Sequence, residues 1–354
     1  MALHTYPDKK ILIGLLLAGL VSSYIGRQLE FTGPILAKKL GVNMAAVVGA
    51  DTTSSIPSDV ELSPLSNPTR PTIHLGFVGD IMLDREVKVS VNKYFNGDYS
   101  KLFANTEFLK TPDIMFANLE GPVSDKGHDR HNLYSFRMDP KVIPVLKDAG
   151  FDVISVANNH ENDWDPTAYK DTIIRLREGG LLTCGGGLNK SEAVQPAVVE
   201  KDGYKVGFLC FTDVGPKELA ATETNPGLLL ASDPEFDTIV KNASESVDAL
   251  IVSFHWGEEY KQIHNTRQEE LAKRTIAAGA IMVQGEHPHV AQDDGVIDGA
   301  PILYSLGNFI FDQSFSKETM EGLFVTADLT DKKVTNIVKN KVMLDAYFAP
   351  SLVK

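Results

Sequence analysis

The chain has 354 residues, 43% of them apolar, and a formal net charge of −13. That length is enough for one large domain with a sizeable core. The acidic balance excludes a general nucleic-acid binder, which needs a basic face to displace counterions, so an anionic ligand must be met by a local cation or a metal ion.

The first segment differs from the rest. "DKKILIGLLLAGLVSSYIGRQ" has two lysines, then an apolar run from Ile11 to Ile25. Residues 1–30 are therefore expected to form a signal anchor or signal peptide, although the run is shorter than the roughly 18–20 apolar residues of a full span. The leading lysines place the N-terminus inside. Residues 31–71 are expected to be a flexible linker, because "DTTSSIPSDVELSPLSNPTRPT" is rich in Ser, Thr, Pro and Asp. The layout is that of a protein held at the cell membrane by a single N-terminal pass, with a globular domain, residues 72–354, outside the cell.

From Ile73 the pattern becomes regular. "IHLGFVGD", "DIMFANLEGP", "FDVISVANNH", "ALIVSFHWG", "AIMVQGEHPH" and "APILYSLGNFIFD" are six apolar runs with polar tips. Their continuity predicts strands buried on both faces. Between them, "DPKVIPVLKDAG", "DPTAYKDTIIRLREGG" and "NTRQEELAKRTIAAGA" carry helical spacing and stop at glycines. "PAVVEKDGYKVGFLCF" and "GLFVTADLTDKKVTNIVKNKVML" read as hairpins, so the sheets of this α/β domain are mixed. Cys184 and Cys210 are too few for a disulfide framework and, without C-x-x-C, do not make a zinc site. Both are expected as small buried hydrophobes, with a single bridge left open.

Ligands of open α/β folds bind beyond the carboxyl ends of strands. Here Asp80, Glu120, Asn159 with His160, His255, and His287 with His289 close successive runs. Each has a bland alternative: Asp80 as a helix cap, Glu120 and Asn159 as turn residues, His255 packed beside Trp256. Five such endings together point to a metal site, and carboxylates mixed with imidazoles suit Mn, Zn or Fe, as one or two ions. His74, His128, His131 and His264 lack this placement and are expected at the surface or in supporting positions. Arg137 in "YSFRMDP" is a candidate anion-binding cation, with a plain ion pair as its alternative.

The order Asp, Glu, Asn-His, His, His-x-His resembles the calcineurin-like metallophosphoesterases. "VGDIMLDR", "ANLEGPVS", "VANNHENDWD", "HWGEEY", "GEHPHVAQ" and "YSLGNFIFDQ", in that order, are similar more specifically to the CapA family of poly-gamma-glutamate capsule biosynthesis. The resemblance implies a four-layer αββα sandwich. It implies Asp80, Glu120, Asn159, His255, His287 and His289 as metal ligands, Glu120 as the acid that bridges two ions, and His160 as the catalytic general acid. Asn118, Asn308 and Arg137 are candidate substrate contacts. The family's first motif is departed from at Met82, where a thioether replaces an imidazole and one subsite falls short of a ligand unless Asp84 or Asn118 substitutes. Glu286 also stands where many relatives carry histidine.

The expected function is a membrane-anchored protein of capsule or envelope polymer synthesis or export, with a metal-dependent hydrolase-type site. The expected partners are an anionic, poly-gamma-glutamate-like polymer and membrane synthase subunits. A non-catalytic scaffold for a polymer synthase and a generic metallophosphoesterase are the alternatives.

Overall fold

The computed structural model describes residues 71–353. The expected segment 1–30, and all but the last residue of the expected linker 31–71, lie outside them. No helix among the described residues is long and apolar enough to cross a membrane.

In chain order the strands are β1 (Ile73–Ile81), β2 (Ile114–Leu119), β3 (Val153–Ser155), β4 (Leu182–Cys184), β5 (Gly186–Gly187), β6 (Ala197–Lys201), β7 (Tyr204–Thr212), β8 (Gly227–Leu228), β9 (Ala249–His255), β10 (Met282–Glu286), β11 (Asp294–Ile297), β12 (Ala300–Leu303), β13 (Asn308–Ile310), β14 (Glu321–Thr330), β15 (Lys333–Leu344) and β16 (Pro350–Leu352). The α-helices are α1 (Arg85–Tyr94), α2 (Val142–Ala149), α3 (Asp165–Glu178), α4 (Lys190–Ala193), α5 (Phe236–Ser246) and α6 (Thr266–Ala277).

Two mixed sheets result. The first runs β16-β15-β14-β1-β2-β3-β4, with β13 also paired to β1; the second runs β11-β12-β10-β9-β7-β6. Strands β1 to β4 are mutually parallel, as are β7, β9, β10 and β12, which explains their unbroken apolar runs. The two expected hairpins are the antiparallel pairs β6–β7 and β14–β15.

Three cores separate four layers. Leu75, Phe77, Phe116, Phe208, Ile251 and Met282 fill the space between the sheets. Val87, Val91, Leu146, Ile154 and Ile173 pack α1, α2 and α3 on the outer face of the first sheet. Phe236, Val240, Val252, Leu271 and Val283 pack α5 and α6 on the outer face of the second.

Two expectations change. "APILYSLGNFIFD" is not one strand: its first half is β12 in the second sheet and its second half is β13 in the first. The crossing happens at Gly307, which has φ +70° and sits so close to β1 that a Cβ on Gly79 would lie 1.8 Å from the Gly307 carbonyl oxygen. Only glycine permits that approach and that backbone together. The cysteines are bridged rather than merely buried. Cys184 at the end of β4 and Cys210 in β7 form a disulfide with Cα atoms 5.4 Å apart, so the bond ties one sheet to the other.

Candidate metal centre

The first sheet presents oxygen ligands. Asp80 lies near the carboxyl end of β1, in register with Asn118 of β2 on one side and Asn308 of β13 on the other. Asp80 is therefore a strand residue and caps no helix; Asp84 directly precedes α1. Asn118 donates from Nδ2 to Asp80 Oδ1 at 2.7 Å, and Asn158 donates to Asn118 Oδ1 at 3.3 Å and to the Leu119 carbonyl at 2.9 Å. Glu120 follows β2 directly, and its backbone N–H is held by the Ile81 carbonyl at 2.8 Å.

The second sheet presents imidazoles. His255 ends β9 beside Glu286, the last residue of β10. His255 Nε2 lies 2.8 Å from Asn159 Oδ1 and 3.1 Å from His287 Nδ1. The His287 backbone N–H donates to Asp80 Oδ2 at 3.3 Å. His289 places Nδ1 3.0 Å from Asn308 Oδ1 and 3.5 Å from Asp80 Oδ2, and Nε2 3.9 Å from Glu120 Oε1. His287 and His289 flank Pro288 and both have positive φ, 96° and 57°. Such backbone costs on the order of 1–3 kcal/mol per residue and persists only where the surroundings over-determine it. Here the determinants are the two hydrogen-bonded imidazoles and the Asp80 carboxylate.

The electrostatics of this cluster fit a bound cation. Both Glu120 oxygens are buried with no hydrogen-bond partner among the described residues. Burial pushes the Glu120 carboxyl well above the usual carboxylate range, and the proximity of Asp80 adds to this. Burial holds His255 well below the usual imidazole range, and burial with the neighbouring His289 and His160 lowers His287 to about 3. For His289 burial pulls the same way, but Glu120 and Asp80 outweigh it and raise the imidazole to about 9. Asp80, Glu120 and His255 form one group of ligand atoms within 4.8 Å of each other, and Glu259, His287 and His289 form a second. Borderline nitrogen and hard oxygen donors in this mixture fit a divalent transition metal. A buried carboxylate with no partner costs several kcal/mol unless such an ion satisfies it.

His160 stands at the edge of the cluster, with Nε2 3.7 Å from Glu120 Oε1. Its Nδ1 pairs with Asp163 Oδ2 at 2.8 Å, and its ring stacks on Phe136 with centroids 4.0 Å apart. Asp163 is itself fixed by the Phe136 backbone N–H at 2.9 Å and by Asn132 Nδ2 at 2.8 Å. Two hollows meet here. One, of about 190 Å³, is lined by Arg85, His289, Tyr260 and Phe315 among others; the other, of about 310 Å³, by Arg130, Asn159 and Pro216. Tyr134 and His160 line both.

The remaining candidates fall into place around this centre. Asn118 and Asn308 are fully buried, with Asn118 Nδ2 on Asp80 and Asn308 Oδ1 against His289 Nδ1. Arg137 stacks its guanidinium on Trp164 at 3.5 Å and lines neither hollow. Met82 turns into the core. Asp84 accepts from Lys88 Nζ and the Arg137 backbone N–H and so is no substitute ligand. Glu286 accepts from Ser253 at 3.0 Å and from Gln284, and burial pushes its carboxyl well above the usual range. His74, His128 and His131 are exposed, while His264 stacks on Tyr304. Sequence reasoning missed Asp163, Glu259 and Arg85, although all three lie inside the motifs "VANNHENDWD", "HWGEEY" and "VGDIMLDR".

The family model described as bacterial capsule synthesis protein PGA_cap matches residues 74–313. The capsule biosynthesis protein CapA of Bacillus anthracis is 34% identical over 282 residues, covering 76% of this chain and 67% of that protein. The PGA biosynthesis protein CapA of Bacillus subtilis (strain 168) is 35% identical over 245 residues, covering 68% of this chain and 64% of that protein. A probable polyglutamine synthesis accessory protein of Mycobacterium tuberculosis is 28% identical, covering 65% of each. The chain thus spans about two thirds of the length of these curated relatives. Among solved structures, a phosphatase from Mycoplasma pneumoniae aligns with TM-score 0.46 and 14% identity over 77% of this chain and 94% of that one. The calcineurin-like phosphoesterase YfkN from Bacillus subtilis aligns with TM-score 0.39 and 14% identity over 80% and 89%. Likeness this remote carries no argument about the chemistry of this chain.

Proposed function

Because the chain belongs to the bacterial capsule synthesis family PGA_cap, we propose that it acts on an anionic capsule or envelope polymer, poly-gamma-glutamate or a close analogue, through a metal-dependent hydrolytic site. One observation carries the reading: the buried, unpartnered Glu120 carboxyl lies among Asp80 and three imidazoles. Asp80, Glu120 and His255, with His287, His289 and Glu259, would hold one or two divalent ions, and Asn159 stands against His255 as a further oxygen donor. Such an ion supplies Lewis acidity at neutral pH.

The chain's own residues supply the rest. Asp163 accepts from His160 Nδ1 and fixes the ring, so the imidazolium form would carry at Nε2 the proton that the leaving group takes and return to the neutral, Nδ1-protonated imidazole. Phe136 covers one face of that imidazole and keeps water from it. The two hollows that share His160 give a chain-like substrate room beyond the reacting bond.

Export to the cell surface and anchoring there belong to the same proposal. A disulfide between the sheets suits an oxidising compartment, and the lysine-flanked apolar run at residues 11–25 suits an anchor. Membrane synthase subunits would then be neighbours, the setting implied by the word "accessory" in the name of the mycobacterial relative.

The test is metal analysis of the full chain, followed by incubation with poly-gamma-glutamate and, separately, an aryl phosphate. Shortening of the polymer, lost in His160→Ala with bound metal retained, is the expected result. Turnover of the aryl phosphate alone would favour a generic phosphoesterase. Bound metal with no turnover of either would favour a non-catalytic scaffold.

A further inference from the structure

Arg137 lines neither hollow, and an anionic substrate of this acidic protein needs a cation within them. Arg85, the first residue of α1, answers this. Its Nε pairs with Asp312 Oδ2 at 3.1 Å, and the Asp312 side chain is fully buried. The same carboxylate oxygen accepts the Glu86 backbone N–H at 3.1 Å, which locks the acceptor in place. The guanidinium lies over the rings of Phe136 and Tyr134, 5.3 and 5.7 Å from their centroids. Phe136 is also the ring that stacks on His160, so one aromatic side chain touches both the cation and the expected proton donor.

Arg85 is thus oriented from behind and from the side while 36% of its side chain remains exposed. Its two terminal nitrogens have no hydrogen-bond partner among the described residues. Arg85 lines the hollow of about 190 Å³ that His160 and His289 also line, and it is the only lysine or arginine among the described residues lining it. Glu259 shares the hollow, but it groups with His287 and His289 as a ligand. The rest of the wall combines the aromatic side chains of Tyr134, Phe136, Tyr260, Phe311 and Phe315, the last 66% exposed, with Asp312 and Gln313. A forked, pre-oriented guanidinium set beside aromatic rings matches a planar or tetrahedral oxyanion carried on an aliphatic chain.

We propose that Arg85, held by Asp312, binds a carboxylate or phosphate group of the substrate beside His160 and so sets the preference of the site for anionic chains. The proposal rests on the reading that the scissile bond lies at His160. Burial pushes the Asp312 carboxyl upward and the Arg85 guanidinium opposes this, so melting temperatures of the variants are compared with the wild type to check that they fold.

The experiment is calorimetric titration of the full chain, metal-loaded and metal-stripped, with inorganic phosphate, with tri-gamma-glutamate, and with uncharged glutaramide as control. Arg85→Gln is expected to weaken both anions about tenfold or more in both states. Glutaramide binding and metal content should not change. Arg85→Lys, which keeps the charge but loses the fork, should fall between. Tighter binding of tri-gamma-glutamate than of phosphate by the wild type would identify a polyglutamyl source for the anion, and the reverse a phosphoester. Equal affinities in wild type and Arg85→Gln, or no anion binding by the wild type, would overturn the proposal. The stripped protein reads Arg85 without the ion, so a failure of the metal-dependent reading would show separately, as absent metal and absent turnover.

Discussion

The first sheet delivers carboxylates and amides to the site, through Asp80, Asn118, Glu120 and Asn159, whereas the second delivers imidazoles, through His255, His287 and His289. The apolar core between the sheets ends where these two sets meet. Neither set is comfortable alone. The acids of the first sheet raise the one imidazole nearest to them, while the other two, pressed on each other and cut off from water, are driven down. Two sheets of opposite donor chemistry therefore make a site that neither could make, and its balance depends on how firmly they are registered against each other.

The largest disturbance of this balance removes one side of it. His287→Ala with His289→Ala leaves the first sheet's oxygens without their nitrogen partners. Metal analysis of the purified double variant is expected to find essentially none, against about one or two ions per wild-type chain. Retained metal would mean that the first sheet suffices and the comparison is misdrawn.

Next is the covalent tie. Reduction of Cys184–Cys210, which closes a sequence separation of 26, should cost about 3 kcal/mol in urea unfolding. A shift below about 0.5 kcal/mol would leave the apolar core as the sole link between the sheets.

A smaller effect is expected from Asn308→Ala, which strips His289 Nδ1 of its acceptor. Metal affinity, read by competition with a chelating dye, should fall about 10–100-fold, as it does when the partner that orients a ligating imidazole is lost. An unchanged affinity would show that Asp80 alone orients that ring.

The smallest concerns Glu286, whose carboxyl the fold holds well above its usual range, mainly by burial and then by the proximity of Asp80. Below the unfolded pKa of about 4.3 the acid is protonated in both states, and wild type and Glu286→Gln should differ little in pH sensitivity. As pH rises past that value the unfolded chain ionises first, so the metal-stripped wild type loses stability that the variant keeps, until the folded pKa is reached. Melting temperatures compared across pH should diverge upward. Parallel curves would mean that Glu286 is ionised in the fold.

The strand ends were legible because an apolar run that stops at a polar residue marks both a buried strand and the place where its tip emerges. That reasoning located Asp80, Glu120, Asn159, His255, His287 and His289 in one region, since in this topology parallel neighbours end on the same side. It failed where the signal depends on a partner distant in sequence. Periodicity could not separate β12 from β13, because both are short apolar runs and only the contact of Gly307 with Gly79 shows the crossing. In "REVKVSVNKY" the alternating valines imitate a strand, yet α1 buries Val87, Ser90 and Val91. Arg85, inside a motif, carried no sequence signal to set it apart from Arg137, and what separates them is Trp164 beneath Arg137 and Asp312 behind Arg85. Glu259 sits on an exposed loop, where no pattern of burial could single it out.

The pairing of Asp80 with Asn308 joins the opening strand of the fold to one of its last. During synthesis Asp80, Glu120 and every histidine of the cluster emerge before Gly307 and Asn308 do. Until that segment arrives, the tip of β1 is registered against β2 alone, and the long closure that brings β13 alongside it is slow. A polypeptide interrupted just short of it would carry the candidate carboxylates and imidazoles but leave Asp80 without its second neighbour and His289 without Asn308.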